Sequence, residues 1–237
     1  MRTIQLLFLA AILSVTIISC DKVNGKGEPV VEERTVTGYH AISLSMSATV
    51  YFTTADNYSM TVHAQENLMP YIITEVEGDR LVIKEKNGVN FGTFDPITVT
   101  ITAPSVDDLD ISGSGDINVG STWSGSTLST NISGSGNINM VNIEAGTFKA
   151  NISGSGSILA SGGTTDYADL TISGSGNIDV RMVYADTTYA TISGSGNIYT
   201  QVNKMLDATI SGSGNIFYLG TPVINLHVSG SGTVNHL

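Results

Sequence analysis

The feature that most constrains this 237-residue chain is one pentapeptide that recurs along its second half. The motif reads Ile-Ser-Gly-Ser-Gly, with Val replacing Ile in the last copy, and successive copies are 21, 20, 20, 20, 18 and 18 residues apart. The copies begin at Ile111, Ile132, Ile152, Ile172, Ile192, Ile210 and Val228. A period this short is too small for two packed helices with their turns. It fits one coil of a solenoid whose stacked repeats share a continuous core.

The residue order within one copy predicts which side chains face inward. In an extended segment, successive side chains alternate between two faces. Ile172, Gly174, Gly176 and Ile178 then share the inner face, and the intervening serines face outward. The inner glycines mark a narrow cross-section or a corner of close backbone approach, or they supply a positive φ angle. The repeat glycines given this structural role are Gly113, Gly115, Gly134, Gly136, Gly154, Gly156, Gly174, Gly176, Gly194, Gly196, Gly212, Gly214, Gly230 and Gly232.

The predicted fold is all-β: a single-stranded, right-handed parallel β-helix with about 18–21 residues per coil, each strand pairing with its copy one coil later. Stacking superimposes the polar residue that follows each Gly-Ser-Gly, and side-chain amides in register can bond along the stack. These ladder positions are Asp116, Asn137, Ser157, Asn177, Asn197, Asn215 and Thr233.

Ligand-binding glycine motifs fit the repeat less well. Calcium-binding β-rolls use a nine-residue period with regular aspartates, whereas this period is about 20 residues and its recurring polar residue is mostly Asn. A phosphate-binding loop needs a following helix and a Lys, and the repeated motif has neither. We therefore predict no metal and no cofactor.

Charge excludes one class of partner. The chain has 10 Lys and Arg against 21 Asp and Glu, a formal net charge of −11. Nucleic-acid binding depends on Lys and Arg that neutralise phosphates, so we expect no nucleic-acid partner.

The first 20 residues resemble a lipoprotein signal. Arg2 precedes an apolar run that is somewhat short for a transmembrane anchor, which needs about 20 apolar residues. The run ends in Ile17-Ile18-Ser19-Cys20, which resembles a bacterial lipobox, and Cys20 is the only cysteine. We predict a signal peptide over residues 1–19 and lipid attachment at Cys20. Loss of Arg2 leaves 9 Lys and Arg against 21 Asp and Glu, a net charge of −12.

Three further regions are predicted. Residues 20–33 are polar and are expected to form a tether, 34–105 an N-terminal β region that serves as a cap, and 106–237 the solenoid. Strict alternation from Ile42 to Phe52 predicts one half-buried strand, and a turn at Glu77–Arg80 predicts a hairpin.

A resemblance to a known family rests on three segments. These are the repeated Ser-Gly-Ser-Gly-Asn-Ile, residues 32–39 (Glu-Glu-Arg-Thr-Val-Thr-Gly-Tyr) and residues 96–99 (Pro-Ile-Thr-Val). Over roughly residues 30–237 the chain resembles the auto-transporter adhesin head domain called the GIN domain. The resemblance implies a parallel β-helix and a lipoprotein of the Bacteroidetes type, with no catalytic motif to transfer.

Candidate site residues are few. His40, His63, His227 and His236 lack metal-ligand spacing, and no serine stands out as a nucleophile among so many. The acidic cluster of Asp107, Asp108 and Asp110 is interpreted as a solvated turn. Six aromatic side chains could stack on sugars, although packing within the strands is the favoured interpretation. They are Trp123, Tyr184, Tyr189, Tyr199, Phe217 and Tyr218.

The leading functional hypothesis is a lipid-anchored, non-enzymatic β-solenoid of the cell envelope, an adhesin or binding module that presents a flat repetitive surface. The expected location is the outer membrane, and the expected partner is a cell-surface glycan or protein. The alternatives are an enzyme that acts on polysaccharide and a purely structural spacer. Because only five residues follow Gly232, the last coil is incomplete, and we expect a second subunit to cover it in a homo-oligomer, a dimer or a trimer.

Overall fold

A computed structural model describes residues 21–237 of the chain, and these residues form a β-solenoid of stacked parallel coils. The predicted fold class is therefore confirmed. The strands are β1 (Asp21–Val23), β2 (Pro29–Glu33), β3 (Ala41–Leu44), β4 (Thr49–Thr54), β5 (Ser59–Gln65), β6 (Ile72–Glu77), β7 (Arg80–Glu85), β8 (Val89–Phe91), β9 (Thr98–Ala103), β10 (Asp108–Ile111), β11 (Asp116–Ile132), β12 (Asn137–Ile152), β13 (Ser157–Ala160), β14 (Gly163–Ile172), β15 (Asn177–Ile192), β16 (Asn197–Ile210), β17 (Asn215–Leu219), β18 (Val223–Val228) and β19 (Val234–His236). One 3₁₀-helix, Glu66–Tyr71, precedes β6.

Each repeat coil bends twice between its glycine corners and so presents three walls. In the coil of β11, the first wall is 116–119, the second is 122–125 and the third is 127–132, and the pairing with β12 is interrupted between them. The same three segments recur in the later coils, and all of them pair in parallel. The motif Ser-Gly-Ser-Gly lies at the corner between the third wall of one coil and the first wall of the next.

Alternation along each wall places the isoleucines inside. Ile172 and Ile178, on either side of one corner, are fully buried, as are their counterparts Ile192 and Ile198 one coil later. A fully buried Ile contributes roughly 1.5–3 kcal/mol relative to an exposed one. The inner columns of neighbouring coils stack into one continuous core that runs the length of the solenoid.

The N-terminal region contains two further coils, so the solenoid begins well before residue 106. β3 and β4 pair in parallel with β10 and β11 on one side and with β7 and β9 on the other. The coil of β7 and β9 therefore lies nearer the N-terminal end of the stack than the coil of β3 and β4, although it comes later in the chain. The prediction of one strand from Ile42 to Phe52 is wrong, because a corner at 45–48 divides it. Alternation continues through the corner, where Met46 and Ala48 stay buried, so the sequence pattern does not reveal the bend.

Antiparallel strands close the N-terminal end. β5 pairs with β9, β6 pairs with β7 in the predicted hairpin, and β2 pairs with β5. The 3₁₀-helix packs Leu68 and Met69 onto the end of the core. The Arg34 guanidinium donates hydrogen bonds to the carbonyl oxygens of Ile72 at 2.7 Å and Met69 at 3.2 Å. These bonds tie Arg34, which directly follows β2, to the 3₁₀-helix and to the start of β6.

The polar segment before residue 34 differs from the expected tether. β1 pairs in parallel with β8, and β2 lies against β5. The side chain of Gln65 donates to the Gly27 carbonyl oxygen at 3.1 Å, and Asn67 donates to that of Asn24 at 2.9 Å. Backbone pairing and these side-chain amides hold the segment on the domain in spite of its polar composition.

Two predictions lie outside the described residues: the signal peptide over residues 1–19 and the lipid attachment at Cys20. Across residues 21–237, no helix is long and apolar enough to cross a membrane.

Candidate binding site on the outer walls

The repeat glycines lie where one corner packs on the corner of the preceding coil. The Ser175 backbone N–H donates to the Gly154 carbonyl oxygen at 3.0 Å, so the ladder continues through the corner. A Cβ on Gly174 would collide with the same oxygen and would lie 2.7 Å from the Ser153 carbonyl oxygen. None of the fourteen repeat glycines has a left-handed φ angle, so the positive-φ explanation is wrong. Close approach of two backbones is what requires glycine here, and this part of the molecule is structural.

The predicted amide ladder is confirmed on the first wall. Asn197 donates from its side-chain amide to the Asn177 Oδ1 at 3.2 Å, and Asn215 donates to the Asn197 Oδ1 at 3.3 Å. Asn137 bonds to Asp116 in the same way, at 2.8 Å. These amides bond along the stack, so they too serve the scaffold.

Four of the six candidate aromatic side chains pack on protein groups. Trp123 is buried and donates from Nε1 to the Val106 carbonyl oxygen at 2.5 Å. The rings of Tyr199 and Phe217 stack with centroids 4.8 Å apart, and the Arg181 guanidinium lies 4.4 Å from the centroid of the Tyr199 ring. Tyr218 packs edge-on against His236. The packing interpretation is therefore right for these four residues.

The remaining two are exposed, and a third tyrosine joins them. The exposed fractions are 54% for Tyr184, 43% for Tyr189 and 53% for Tyr167. None of the three belongs to an aromatic pair or cation–π contact found within residues 21–237. Tyr167 was not among the candidates from the sequence, and it aligns with Thr147 and Thr187 on the third wall.

One of these tyrosines, Tyr167, lines a groove at the edge between the second and third walls. The groove has a volume of about 320 Å³ and is lined by Asp166, Tyr167, Asp186, Thr187 and Lys204. Tyr184 precedes the lining residue Asp186 by two residues along β15, and Tyr189 follows the lining residue Thr187 by two. Asp166 and Asp186 occupy equivalent positions on adjacent coils, between the paired residues of the two walls. We call the five lining residues, together with Tyr184 and Tyr189, the tyrosine groove.

One ion pair sets the electrostatics of the tyrosine groove. The Lys204 ammonium donates to the Asp186 carboxylate at 2.8 Å. This hydrogen bond, with the opposite charge, lowers the pKa of Asp186 and raises the pKa of Lys204. Asp166 adds a second negative charge that further raises the pKa of Lys204. Both partners of the ion pair stay charged at neutral pH and offer fixed hydrogen-bonding groups to a ligand.

The other candidates bind neighbouring protein groups or face solvent. Arg80 reaches across the small side chain of Ala41 and pairs with both Asp108 and Asp110, so the acidic cluster at the start of the repeats is more than a solvated turn. His227 and His236 are exposed. Among residues 21–237, no three His, Cys, Asp or Glu side chains are grouped closely enough to hold a metal ion.

The fold is a β-solenoid, and comparison with known proteins gives the family. Residues 38–222 match the family described as "Putative auto-transporter adhesin, head GIN domain", and the chain belongs to this family. The resemblance found in the sequence is thereby confirmed. A comparison with curated proteins gave no match.

Solved structures share the fold over nearly the whole chain. A "putative adhesin" from Bacteroides fragilis is 22% identical, with a TM-score of 0.85, over 91% of this chain and 100% of that one. A "putative lipid binding protein" from Parabacteroides distasonis is 27% identical, with a TM-score of 0.79, over 92% and 100%. A "putative adhesin" from Parabacteroides merdae is 24% identical, with a TM-score of 0.76, over 92% and 99%.

Proposed function

We propose that the protein is a lipid-anchored, non-enzymatic binding module of the cell envelope that contacts a glycan through the tyrosine groove. The observation that carries this proposal is the exposed Tyr167 in a groove with two carboxylates and one ammonium. Tyr184 and Tyr189, also exposed, lie two residues along β15 from lining residues of the groove. Membership of an adhesin family and its association with the cell envelope support a binding role.

The chemistry of the tyrosine groove fits a neutral glycan. Tyrosine rings offer apolar faces to the C–H surfaces of a sugar and a polar hydroxyl at their edge. Asp166 and Asp186 accept hydrogen bonds from sugar hydroxyls, and the Lys204 ammonium donates them. A net charge of −12 beyond Arg2 repels acidic glycans, so we expect neutral sugars to bind more tightly.

Glycan-array binding of residues 21–237 tests the proposal, since the whole described fold lies within them. We expect neutral glycans to bind and the variants Tyr167→Ala and Tyr184→Ala to lose most of the signal. Tyr51→Ala is the matched control, because Tyr51 is 49% exposed but lies on the first wall. Absence of any glycan ligand would favour the structural spacer instead. Equal binding by wild type and both groove variants would show that the ligand contacts another surface.

Asp186 is poorly suited to serve as the general acid of a glycosidase. Glycosidases use one carboxyl group with a raised pKa as a general acid, beside a second carboxylate. Lys204 lowers the pKa of Asp186, which keeps this group ionised. We expect incubation with a bound polysaccharide to release no reducing ends, and their release at a rate abolished by Asp186→Asn would establish an enzyme.

Anchoring through Cys20 is the second part of the proposal, and it is supported by the lone cysteine behind an apolar leader. Cys20→Ala in the full chain should leave an uncleaved precursor or release the protein from membranes. Mass spectrometry of the mature wild-type protein should find an acylated Cys20. An unmodified thiol there would contradict the anchor without affecting the glycan proposal. Because one relative is described as a lipid binding protein, flotation of residues 21–237 with vesicles checks whether the domain itself binds lipid.

A further inference from the structure

Two apolar side chains of the C-terminal coil are exposed, although the residues beside them one coil earlier are buried. β18 pairs with β16 in parallel, which places Leu226 beside Ala208 and Val228 beside Ile210. Ala208 and Ile210 are fully buried, whereas Leu226 is 54% exposed and Val228 is 46% exposed. These inner-column side chains of the last described coil thus form an apolar patch at the end of the core.

The same strand has a free backbone edge. Within residues 21–237, β18 forms its ladder with β16, and its opposite edge has no strand partner. Unpaired N–H and C=O groups along an apolar strand are a template for another strand. The group that satisfies them best is a β-strand that also buries Leu226 and Val228.

Protection against such pairing is present at one end of the solenoid and missing at the other. The N-terminal edge strand β2 has Pro29 together with Glu32 and Glu33, and β6 has Glu75 and Glu77. Proline and charged side chains are the usual means of blocking an edge strand. β18 reads Val-Ile-Asn-Leu-His-Val and has neither.

The distribution of charge along the chain favours a second copy of the chain as the partner of β18. No Asp, Glu, Lys or Arg occurs after Asp207, although the chain beyond Arg2 has a net charge of −12. Two copies would repel each other across most of their surfaces, and the C-terminal end is where that repulsion is weakest. A neutral, apolar edge that matches itself is the surface that an isologous dimer requires.

We propose that two copies of the chain associate end to end through β18, in antiparallel pairing about a two-fold axis. The two-fold axis places either Leu226 opposite Leu226 or Asn225 opposite Asn225. In both registers even-numbered residues face even-numbered residues, so the inward side chains of both copies stay on the inner face of the sheet. Leu226 and Val228 of both copies then close one shared core. This inference is independent of the proposed glycan function.

Sedimentation of residues 21–237 at increasing concentration tests the dimer. We expect a mass of two chains at micromolar concentration, and Leu226→Glu should raise the dissociation constant at least about tenfold because like charges then meet at the two-fold axis. Val31→Glu is the matched control, since Val31 is 65% exposed on the edge strand β2 at the opposite end. Melting curves should show both variants folded, because both side chains are exposed in the single chain.

Mixing complementary variants gives a second readout. Leu226→Lys should also be monomeric alone, and an equimolar mixture with Leu226→Glu should recover a heterodimer. A wild-type monomer at 100 μM would overturn the proposal. So would a mass that grows without limit, which indicates head-to-tail stacking, or dissociation caused equally by Val31→Glu.

Discussion

The glycine corners and the outer walls of this solenoid obey different constraints. At each corner, the backbone of one coil touches the backbone of the preceding coil, and the sequence Ser-Gly-Ser-Gly recurs in every repeat. On the walls, inward positions are mostly apolar, and outward positions outside the amide ladder vary from coil to coil. The conspicuous repeated motif is therefore explained by packing between coils, and it does not indicate where a ligand binds. Function is better sought at outward positions that depart from the repeat, as Tyr167 does beside Thr147 and Thr187.

The largest expected effect comes from breaking a corner. Gly174→Val places a branched side chain against the Gly154 carbonyl oxygen and disrupts the hydrogen bond from Ser175. We expect a loss of about 3 kcal/mol in the free energy of unfolding, measured by urea denaturation. Ser175→Ala is the control, because Ser175 is exposed and should cost less than about 0.5 kcal/mol. Equal midpoints for the two variants would refute the packing described at the corners.

Arg80 is an outward wall residue with a structural role, so its loss should lower stability more than the loss of an exposed ion pair on the same walls. Arg80→Ala leaves Asp108 and Asp110 side by side without their partner, and burial already raises the pKa of Asp110. We expect a loss of about 2 kcal/mol in the free energy of unfolding. Lys204→Ala removes an ion pair whose lysine side chain is 72% exposed, and it should have almost no effect on stability. Similar losses for both variants would mean that the Arg80 cluster is no more than a surface ion pair.

Tyr39 is buried, in contrast to the exposed tyrosines of the tyrosine groove. Burial, and to a lesser extent Tyr58, raises the pKa of Tyr39 to about 12. The folded chain therefore keeps a proton that the unfolded chain loses near pH 10, so stability is lost as the pH rises from about 10 to about 12. The loss should reach about 2 kcal/mol. Unfolding midpoints across this range should fall less steeply for Tyr39→Phe, and parallel slopes would contradict the assignment.

The amide ladder should contribute the smallest effect. Asn197→Ala removes three hydrogen bonds of its side chain on the first wall. The Asn197 side chain donates one to Asn177 and accepts two from Asn215, one from the backbone N–H and one from the side-chain amide. We expect a loss of about 0.5–1 kcal/mol in chemical denaturation, because these bonds are partly exposed to water. Ser157 already interrupts the ladder in a folded coil, which shows that one missing amide is tolerated. A loss as large as that of Gly174→Val would mean that the ladder, and not the corner, holds the stack.

The sequence predicted features that repeat, and it failed where the repeat is lost. Seven copies of one motif were enough to predict parallel coils, inward isoleucines and the amide ladder. The order of the N-terminal coils was not predictable, because β7 and β9 reach their place by antiparallel pairing with β6 and β5. For the tyrosine groove, the sequence offered Tyr184 and Tyr189 as candidates but not Asp166 and Tyr167. Asp166 and Tyr167 are both exposed because the coil bends there, and a bend interrupts the alternation from which exposure is inferred.

The central claim is that corners hold the fold and the tyrosine groove binds the ligand. The most direct test measures thermal stability and glycan binding on the same variants, the double variant Tyr167→Ala/Tyr189→Ala and the corner control Ser175→Ala. We predict that the double variant melts within about 3 °C of wild type, since both side chains are exposed, yet binds glycan at least about tenfold more weakly. Ser175→Ala should keep both properties. Unchanged glycan binding by a folded double variant would contradict the account.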